Sequence, residues 1–275
     1  MYQIQNKVVL VTGSTAGLGK ELAFQLCSLG ARVVLNGREN KRLELTSVEF
    51  RAAGLETVTA QGDVSSEEDC RRIIDRCLEV YGRLDVLINN AGLGSGGAFA
   101  DTTPETFRKV FEVNTLGAIY LTRHALPHIM RTGGSIIFIS SLAGLVGLPY
   151  SSLYSSSKMA LTAIAQALQV ELLGSGVHVG IAYIGFLKNG PEKRVLGPSG
   201  DLQPTGERGN VSLQPMDHAS LAIIRMIRRR SRKTVLSSLG KSLQVALRIT
   251  PGLVRWFLFR SKKKARRMYE PVEAA

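Results

Sequence analysis

The sequence predicts an α/β fold: a doubly wound parallel sheet, helices on both faces, in one domain with a basic amphipathic C-terminal extension. Two observations carry this expectation. Short, unbroken apolar runs such as Val8-Val9-Leu10-Val11 alternate with longer segments of helical period. Strands buried on both faces read as such continuous runs. A glycine-rich turn, Gly13 to Gly19, joins the first run to the first helix, at a place where open α/β sheets receive phosphate groups.

The elements follow in order. Val8–Val11 is the first strand, and a helix runs from about Leu18 to Leu29, stopped by Gly30. Ala31–Asn36 is the second strand, Lys41–Ala53 a charged helix, Thr57–Ala60 the third strand and Ser66–Tyr81 a helix. Val86–Ile88 is the fourth strand; Pro104–Val113 and Leu116–Met130 have helical period, and Ser135–Ser140 is the fifth strand. A long helix spans Tyr154–Leu173 up to Gly174, and Val177–Ile184 is the sixth strand. Residues 186–215 are rich in Gly and Pro without clear period, and such a long loop after a strand's carboxyl end reads as a flexible lid over a cleft. The other reading is a plain disordered connection. Asp217–Arg230 is the next helix and Thr234–Ser237 a short last strand. The domain boundaries are thus 1–238 for the sheet domain, with 186–215 as its lid, and 239–275 for the extension.

Composition narrows the function classes. The 275 residues are 44% hydrophobic, ample for a single large core. Cys27, Cys70 and Cys77 are an odd number without Cys-x-x-Cys spacing, which points to a reducing compartment and against disulfides or a zinc site. No apolar run reaches the length of a membrane span, and the first strand begins without a basic head or cleavage pattern. A cytoplasmic location is therefore expected. The net charge of +13 is unevenly placed: residues 221–275 hold 15 Lys+Arg against 2 Asp+Glu, whereas residues 1–220 hold 20 of each. The excess is a partner signal from the tail.

Three constellations carry chemistry. The turn Thr12-Gly13-Ser14-Thr15-Ala16-Gly17-Leu18-Gly19 lets backbone approach a pyrophosphate held at a helix N-terminus. The second strand ends Leu35-Asn36-Gly37-Arg38. An acidic residue there would bind the ribose hydroxyls of NAD(H); a glycine followed by an arginine fork instead suits the 2′-phosphate of NADP(H). Tyr154 and Lys158 stand at i and i+4, one turn apart on one helix face. An ammonium beside a phenol favours phenolate, bringing a group of pKa about 10 nearer neutrality.

With these motifs the chain resembles the short-chain dehydrogenase/reductase family, whose fold is of Rossmann type, over residues 7 to about 238. The glycine turn matches at Gly13, Gly17 and Gly19, and Gly62-Asp63-Val64 matches the element after the third strand. Asn89-Asn90-Ala91-Gly92 matches the signature closing the fourth strand. Asn114, Ser141, Tyr154 and Lys158 match the catalytic tetrad in type and spacing. The resemblance implies that Tyr154 exchanges a proton with a carbonyl or alcohol oxygen, which Ser141 holds. Lys158 supports the phenolate and anchors the nicotinamide ribose, and Asn114 positions a water that links Lys158 to solvent. It also implies that Asp63 and Val64 flank adenine. The expected cofactor contacts are Gly13, Ser14, Thr15, Gly17, Leu18, Gly19, Arg38, Asp63, Val64, Asn90, Ala91, Gly92, Tyr154, Lys158, Gly185 and Leu187. A homodimer or homotetramer is expected from the resemblance alone.

One stretch departs from the family pattern. Gly185 is kept, but Ile184 stands where proline is usual and Asn189 where a threonine is usual. His124 and His128 have zinc-helix spacing, but no glutamate follows His124 and Pro127 intervenes; no metal is expected.

The expected function is NADP(H)-dependent interconversion of a ketone and a secondary alcohol. The apolar lid residues Val195, Leu196, Leu202, Val211 and Leu213 suggest a hydrophobic substrate. Reduction of a 3-oxoacyl thioester, its carrier met by basic residues, is the alternative within the same chemistry. A nucleotide-sensing scaffold without turnover is the alternative from another class. In the tail, Leu253-Val254-Arg255-Trp256-Phe257-Leu258-Phe259-Arg260 precedes Lys262-Lys263-Lys264-Ala265-Arg266-Arg267. Aromatics beside cations fit a peripheral site on an anionic membrane face. Packing of Trp256–Phe259 on the domain or a neighbouring subunit fits equally. Nucleic acid is not an expected partner, since no recognition fold is visible.

Overall fold

The computed structural model describes residues 1–188, 193–204, 213–262 and 265–266. Among the described residues seven strands form one parallel sheet: β1 (Val8–Val11), β2 (Arg32–Gly37), β3 (Thr57–Gln61), β4 (Val86–Asn89), β5 (Ser135–Ser141), β6 (His178–Ile184) and β9 (Lys233–Val235), in the order β3-β2-β1-β4-β5-β6-β9. A hairpin of β7 (Arg194–Leu196) and β8 (Leu202–Pro204) stands apart from it. The helices are α1 (Gly17–Ser28), α2 (Asn40–Ala52), α3 (Glu67–Tyr81), α4 (Pro104–Phe111), α5 (Gly117–Thr132), α6 (Ser152–Glu171), α7 (Met216–Arg229), α8 (Ser238–Ile249) and α9 (Pro251–Arg260).

Alternation within each strand divides the core between the two faces. Val8 and Leu10 point into one apolar cluster with Ile73 of α3, Leu121 of α5 and Leu161 of α6. Val9 and Val11 point into the other with Leu22 and Leu26 of α1, Phe50 of α2 and Ile223 and Ile227 of α7. A strand covered on both sides needs apolar residues at every position, which is why β1 reads as an unbroken run. The chain winds outward from β1 through β2 to β3, then returns to lay β4 on the other side of β1. The carboxyl ends of β1 and β4 therefore flank the switch point where such sheets open a ligand crevice.

Helix ends follow local chemistry. Ser66 caps α3 by accepting from Asp69 N at 3.2 Å, with Glu67, Glu68 and Asp69 in the first turn, a charge order that suits the helix dipole. The two helices expected over Pro104–Val113 and Leu116–Met130 are one continuous run. The run continues through Gly117 and Pro127, and a π-helical segment, Glu112–Leu116, joins α4 to α5.

Within the segment expected to be a flexible lid, the described residues 193–204 are tied to the body by backbone hydrogen bonds. Leu196 pairs with Ser95, Gly96 N donates to Leu196 O and Leu196 N to Gly94 O. Thr103 N donates to Pro198 O. Leu196 is buried with Val110 and Leu153, so this lid residue is an anchor, whereas Leu202 and Leu213 are exposed. Asn189 and Val211 lie outside the described residues. Ile184, which stands in place of the family's proline, is buried in β6 opposite Ser141. The tail, read only as amphipathic, contributes α8 and α9, which pack on each other.

Candidate active site

The glycine turn is braced by side chains from two neighbouring strands. Asn36, buried at the end of β2, donates through Nδ2 to Ala60 O and Gly62 O, and its Oδ1 accepts from Gly13 N. Ser14 is buried, and its hydroxyl accepts from Asn36 N at 2.9 Å. From β4, Asn90 donates through Nδ2 to Thr12 O at 2.8 Å and lies within 3.3 Å of Gly13 O. Thr12 Oγ1 accepts from the backbone of Asn90 and Ala91. Of the residues expected to touch a cofactor, Ser14 and Asn90 thus shape the turn with their side chains. Asn36 and Thr12 were not anticipated; short polar residues at strand ends give no periodic signal, and their roles exist only once β1, β2 and β4 are neighbours.

The turn fits a phosphate cradle. Gly13 has φ +62°, and a Cβ on Gly19 would lie 2.3 Å from Gly13 O and 2.4 Å from Asn90 Nδ2. Only glycine permits that approach. Helix α1 begins at Gly17 without a side-chain cap and without an acidic residue in its first turn, leaving N–H groups and the positive dipole end for an anion. At the end of β2 a Cβ on Gly37 would sit 2.7 Å from Thr15 Cγ2, so a carboxylate side chain there would displace Thr15. Arg38 is exposed, with Nη1 3.9 Å from Asp63 Oδ2. Asp63 also accepts from Ser65 N and Oγ, while Val64 beside it is buried. Leu18 is half-buried at the helix start.

The tetrad residues come from three elements. Ser141 ends β5, its Oγ accepting from Ala143 N at 3.3 Å. Its neighbour Ser140 donates to Lys158 O at 3.1 Å, which binds β5 to α6. On α6, Lys158 is 4% exposed, donates through Nζ to Ile139 O at 3.0 Å and lies 5.9 Å from the centroid of the Tyr154 ring. Burial pulls the Lys158 ammonium down to about 8, because a charge removed from water favours its neutral form. Asn114 sits in the π segment, where its side chain binds Leu93 N and O and donates to Ser157 Oγ at 3.0 Å. Gly92 marks where these groups converge: a Cβ there would be 3.2 Å from Asn114 Oδ1 and 3.3 Å from Lys158 Nζ. Gly185 and Leu187 follow β6, Leu187 pairing with Gln214.

Residues 7–195 match the family model described as short chain dehydrogenase. The chain belongs to the short-chain dehydrogenase/reductase family. It is similar to 11-beta-hydroxysteroid dehydrogenase 1A of Arabidopsis thaliana, 32% identical over 261 residues covering 92% of this chain and 74% of that protein. Among solved structures, a short-chain dehydrogenase from Streptomyces avermitilis superposes with a TM-score of 0.78 at 25% identity, over 95% of this chain and 98% of that one. An alcohol dehydrogenase from the archaeon Thermococcus sibiricus, complexed with 5-hydroxy-NADP, superposes with a TM-score of 0.74 at 26% identity, over 86% and 98%. As a short-chain dehydrogenase/reductase the protein is an oxidoreductase of CH–OH groups that uses NAD(P)(H).

Other candidates for chemistry are occupied elsewhere. Cys27, Cys70 and Cys77 are buried, and burial pushes each thiol up to about 12. His124 faces Glu67, and His128 bonds to Arg131 on the same helix. Among the described residues no group of three or more His, Cys, Asp or Glu could hold a metal ion.

Proposed function

We propose that this protein is an NADP(H)-dependent oxidoreductase interconverting a ketone and a secondary alcohol on a hydrophobic substrate. The observation that carries the chemistry is the buried Lys158 beneath the Tyr154 ring, on a helix bound to the strand that ends at Ser141. When bound, the nicotinamide supplies or accepts the hydride. In reduction the Tyr154 hydroxyl gives its proton to the carbonyl oxygen; in oxidation the phenolate takes one from the alcohol. The Ser141 hydroxyl donates to the same oxygen and holds it in place. The Lys158 ammonium favours the phenolate form of Tyr154 through its charge. Asn114 and Ser157 lock α6 against the end of β4, which fixes where Lys158 lies.

Preference for NADP(H) is supported by Gly37, where a carboxylate side chain would have to displace Thr15, and by the exposed guanidinium of Arg38 beside it. The Gly13–Gly19 cradle and the uncapped start of α1 would hold the pyrophosphate, and Asp63 and Val64 would flank adenine. A hydrophobic substrate is supported by the apolar residues of the β7–β8 hairpin and by the hydroxysteroid dehydrogenase name of a relative matching most of the chain.

The test is a panel of ketones, alcohols and 3-oxoacyl thioesters followed by nicotinamide absorbance with each cofactor. NADPH is expected to outperform NADH with apolar ketones, and Arg38→Ala should raise the KM for NADPH about tenfold, the loss of one charge-assisted phosphate contact, while sparing NADH. Preference for NADH by the wild type would overturn the cofactor assignment. Faster turnover of acyl thioesters than of free ketones would overturn the substrate assignment.

A further inference from the structure

The C-terminal helices carry exposed apolar and cationic side chains that the oxidoreductase chemistry does not use. On α9, Leu253, Trp256, Phe257 and Arg260 recur at helical spacing on an outward face, while Val254 packs inward. Trp256 and Phe257 are 45% and 59% exposed, and the Arg260 guanidinium lies 4.3 Å over the Trp256 ring. On α8, Lys241, Val245, Arg248 and Ile249 form a second exposed stripe. The other flank of α9 is not sealed against the body either. Leu258, Phe259 and Arg255 face Leu148, Pro149 and Met159 across an open, largely apolar cavity of about 490 Å³.

Charge selects the partner. From His218 to Tyr269 the sequence contains no Asp or Glu, so nothing in that stretch neutralises its 15 Lys and Arg. We propose that α8 and α9 form a docking surface for an anionic lipid bilayer. Aromatic and aliphatic side chains enter the headgroup boundary while Lys241, Arg248, Arg260 and Lys262 meet lipid phosphates and carboxylates. A second copy suits this surface poorly, because a two-fold contact would set the same acid-free cationic patch against itself. No helix among the described residues is long and apolar enough to cross a membrane, so the helices lie on the bilayer.

Trp256 is the only tryptophan, which makes its emission a direct probe of docking in the full chain. Vesicles of phosphatidylcholine alone are compared with vesicles containing about one third phosphatidylserine, by co-sedimentation and by emission wavelength. Binding with a blue shift is expected only on the anionic vesicles and should weaken as salt rises. Arg248→Glu/Arg260→Glu/Lys262→Glu should lower vesicle affinity at least about tenfold, given roughly 1 kcal/mol per nearby cation, and leave turnover of a water-soluble ketone unchanged. Phe257→Ser/Phe259→Ser should weaken binding and reduce the blue shift, with the same unchanged turnover. Absence of vesicle binding by the full chain overturns the proposal. So does a blue shift that follows protein concentration without lipid, the mark of self-association, or binding to duplex DNA without binding to vesicles. These readouts do not depend on the cofactor or substrate assignment, so the two proposals fail separately.

Discussion

Asn114 and Leu93 exchange two hydrogen bonds, Leu93 N donating to Asn114 Oδ1 at 2.6 Å and Asn114 Nδ2 donating to Leu93 O at 2.9 Å. One side chain thereby completes the backbone of the segment that leaves β4, while Ser157 ties it to α6. The π segment brings Asn114 inward at 1% exposure, and such segments recur at functional sites. Asn114→Ala leaves both Leu93 groups and Ser157 without this partner. A stability loss of about 1–3 kcal/mol is expected, read by urea unfolding, together with a fall in kcat larger than any change in cofactor affinity. A variant with wild-type stability and wild-type kcat would remove Asn114 from both roles.

Tyr154→Phe keeps the ring beneath which Lys158 lies and removes only the hydroxyl. Turnover should drop at least about 10²-fold, the usual contribution of a positioned acid or base. Binding of NADPH, followed by dinucleotide fluorescence, should stay within about twofold, because the glycine turn and Arg38 are untouched. Comparable losses of binding and turnover would make Tyr154 a packing residue.

Lys158 makes stability depend on pH in a direction that can be worked out. Its folded value is about 8, against an unfolded value of about 10.4. Below the folded value both states carry the charge and the folded state bears the full burial penalty. Between the two values the unfolded chain binds more protons, so this residue's contribution to stability rises with pH. Lys158→Met abolishes that rise. The variant should be inactive yet more stable than wild type at pH 7, by at most about 3 kcal/mol less the lost bond to Ile139 O. The gap should narrow by pH 10. Comparing urea midpoints of the two proteins cancels the other groups that titrate in this range. A gap that does not change with pH would show that burial does not depress Lys158.

The strands, and the placement of Tyr154 and Lys158 on one helix face, were legible in the sequence for different reasons. A doubly covered strand has to be apolar throughout, so Val8–Val11 and Ile136–Ile139 announce themselves without reference to any neighbour. Tyr154 and Lys158 are readable because one helix turn sets their spacing. Asn36, Thr12 and Ser157 were not readable: each is a small polar residue whose partner lies on another element, 43 residues away in the case of Ser157 and Asn114. The β7–β8 hairpin carries no period because its strands are three residues long among glycines and prolines, and the Ser95–Leu196 bridge that ties it to the body involves a residue far away in sequence. The join between α4 and α5 escaped notice for the opposite reason, since continuous helical sequence does not show where one extra residue enters a turn.

His178 should make the protein acid-labile. It is 5% exposed at the start of β6, opposite Ser135. Nε2 lies 3.0 Å from Ser231 O; a carbonyl can only accept, so this nitrogen carries the proton, and Nδ1 accepts from Ser135 Oγ at 3.3 Å. Burial, with Arg230 and Arg232 nearby, pulls the imidazole down to about 4 despite the bond to Ser231. The unfolded value is about 6.5. Above pH 6.5 both states are neutral and the contribution is intact. As pH falls toward 4 the unfolded chain takes up a proton that the folded chain refuses, and up to about 3 kcal/mol is lost. His178→Gln should cost about 1 kcal/mol at pH 7.5 through imperfect hydrogen bonds. It should also flatten the decline between pH 6.5 and 4, so that the variant equals or exceeds wild type at pH 4.5. Urea midpoints that fall in parallel for the two proteins would place the acid sensitivity elsewhere.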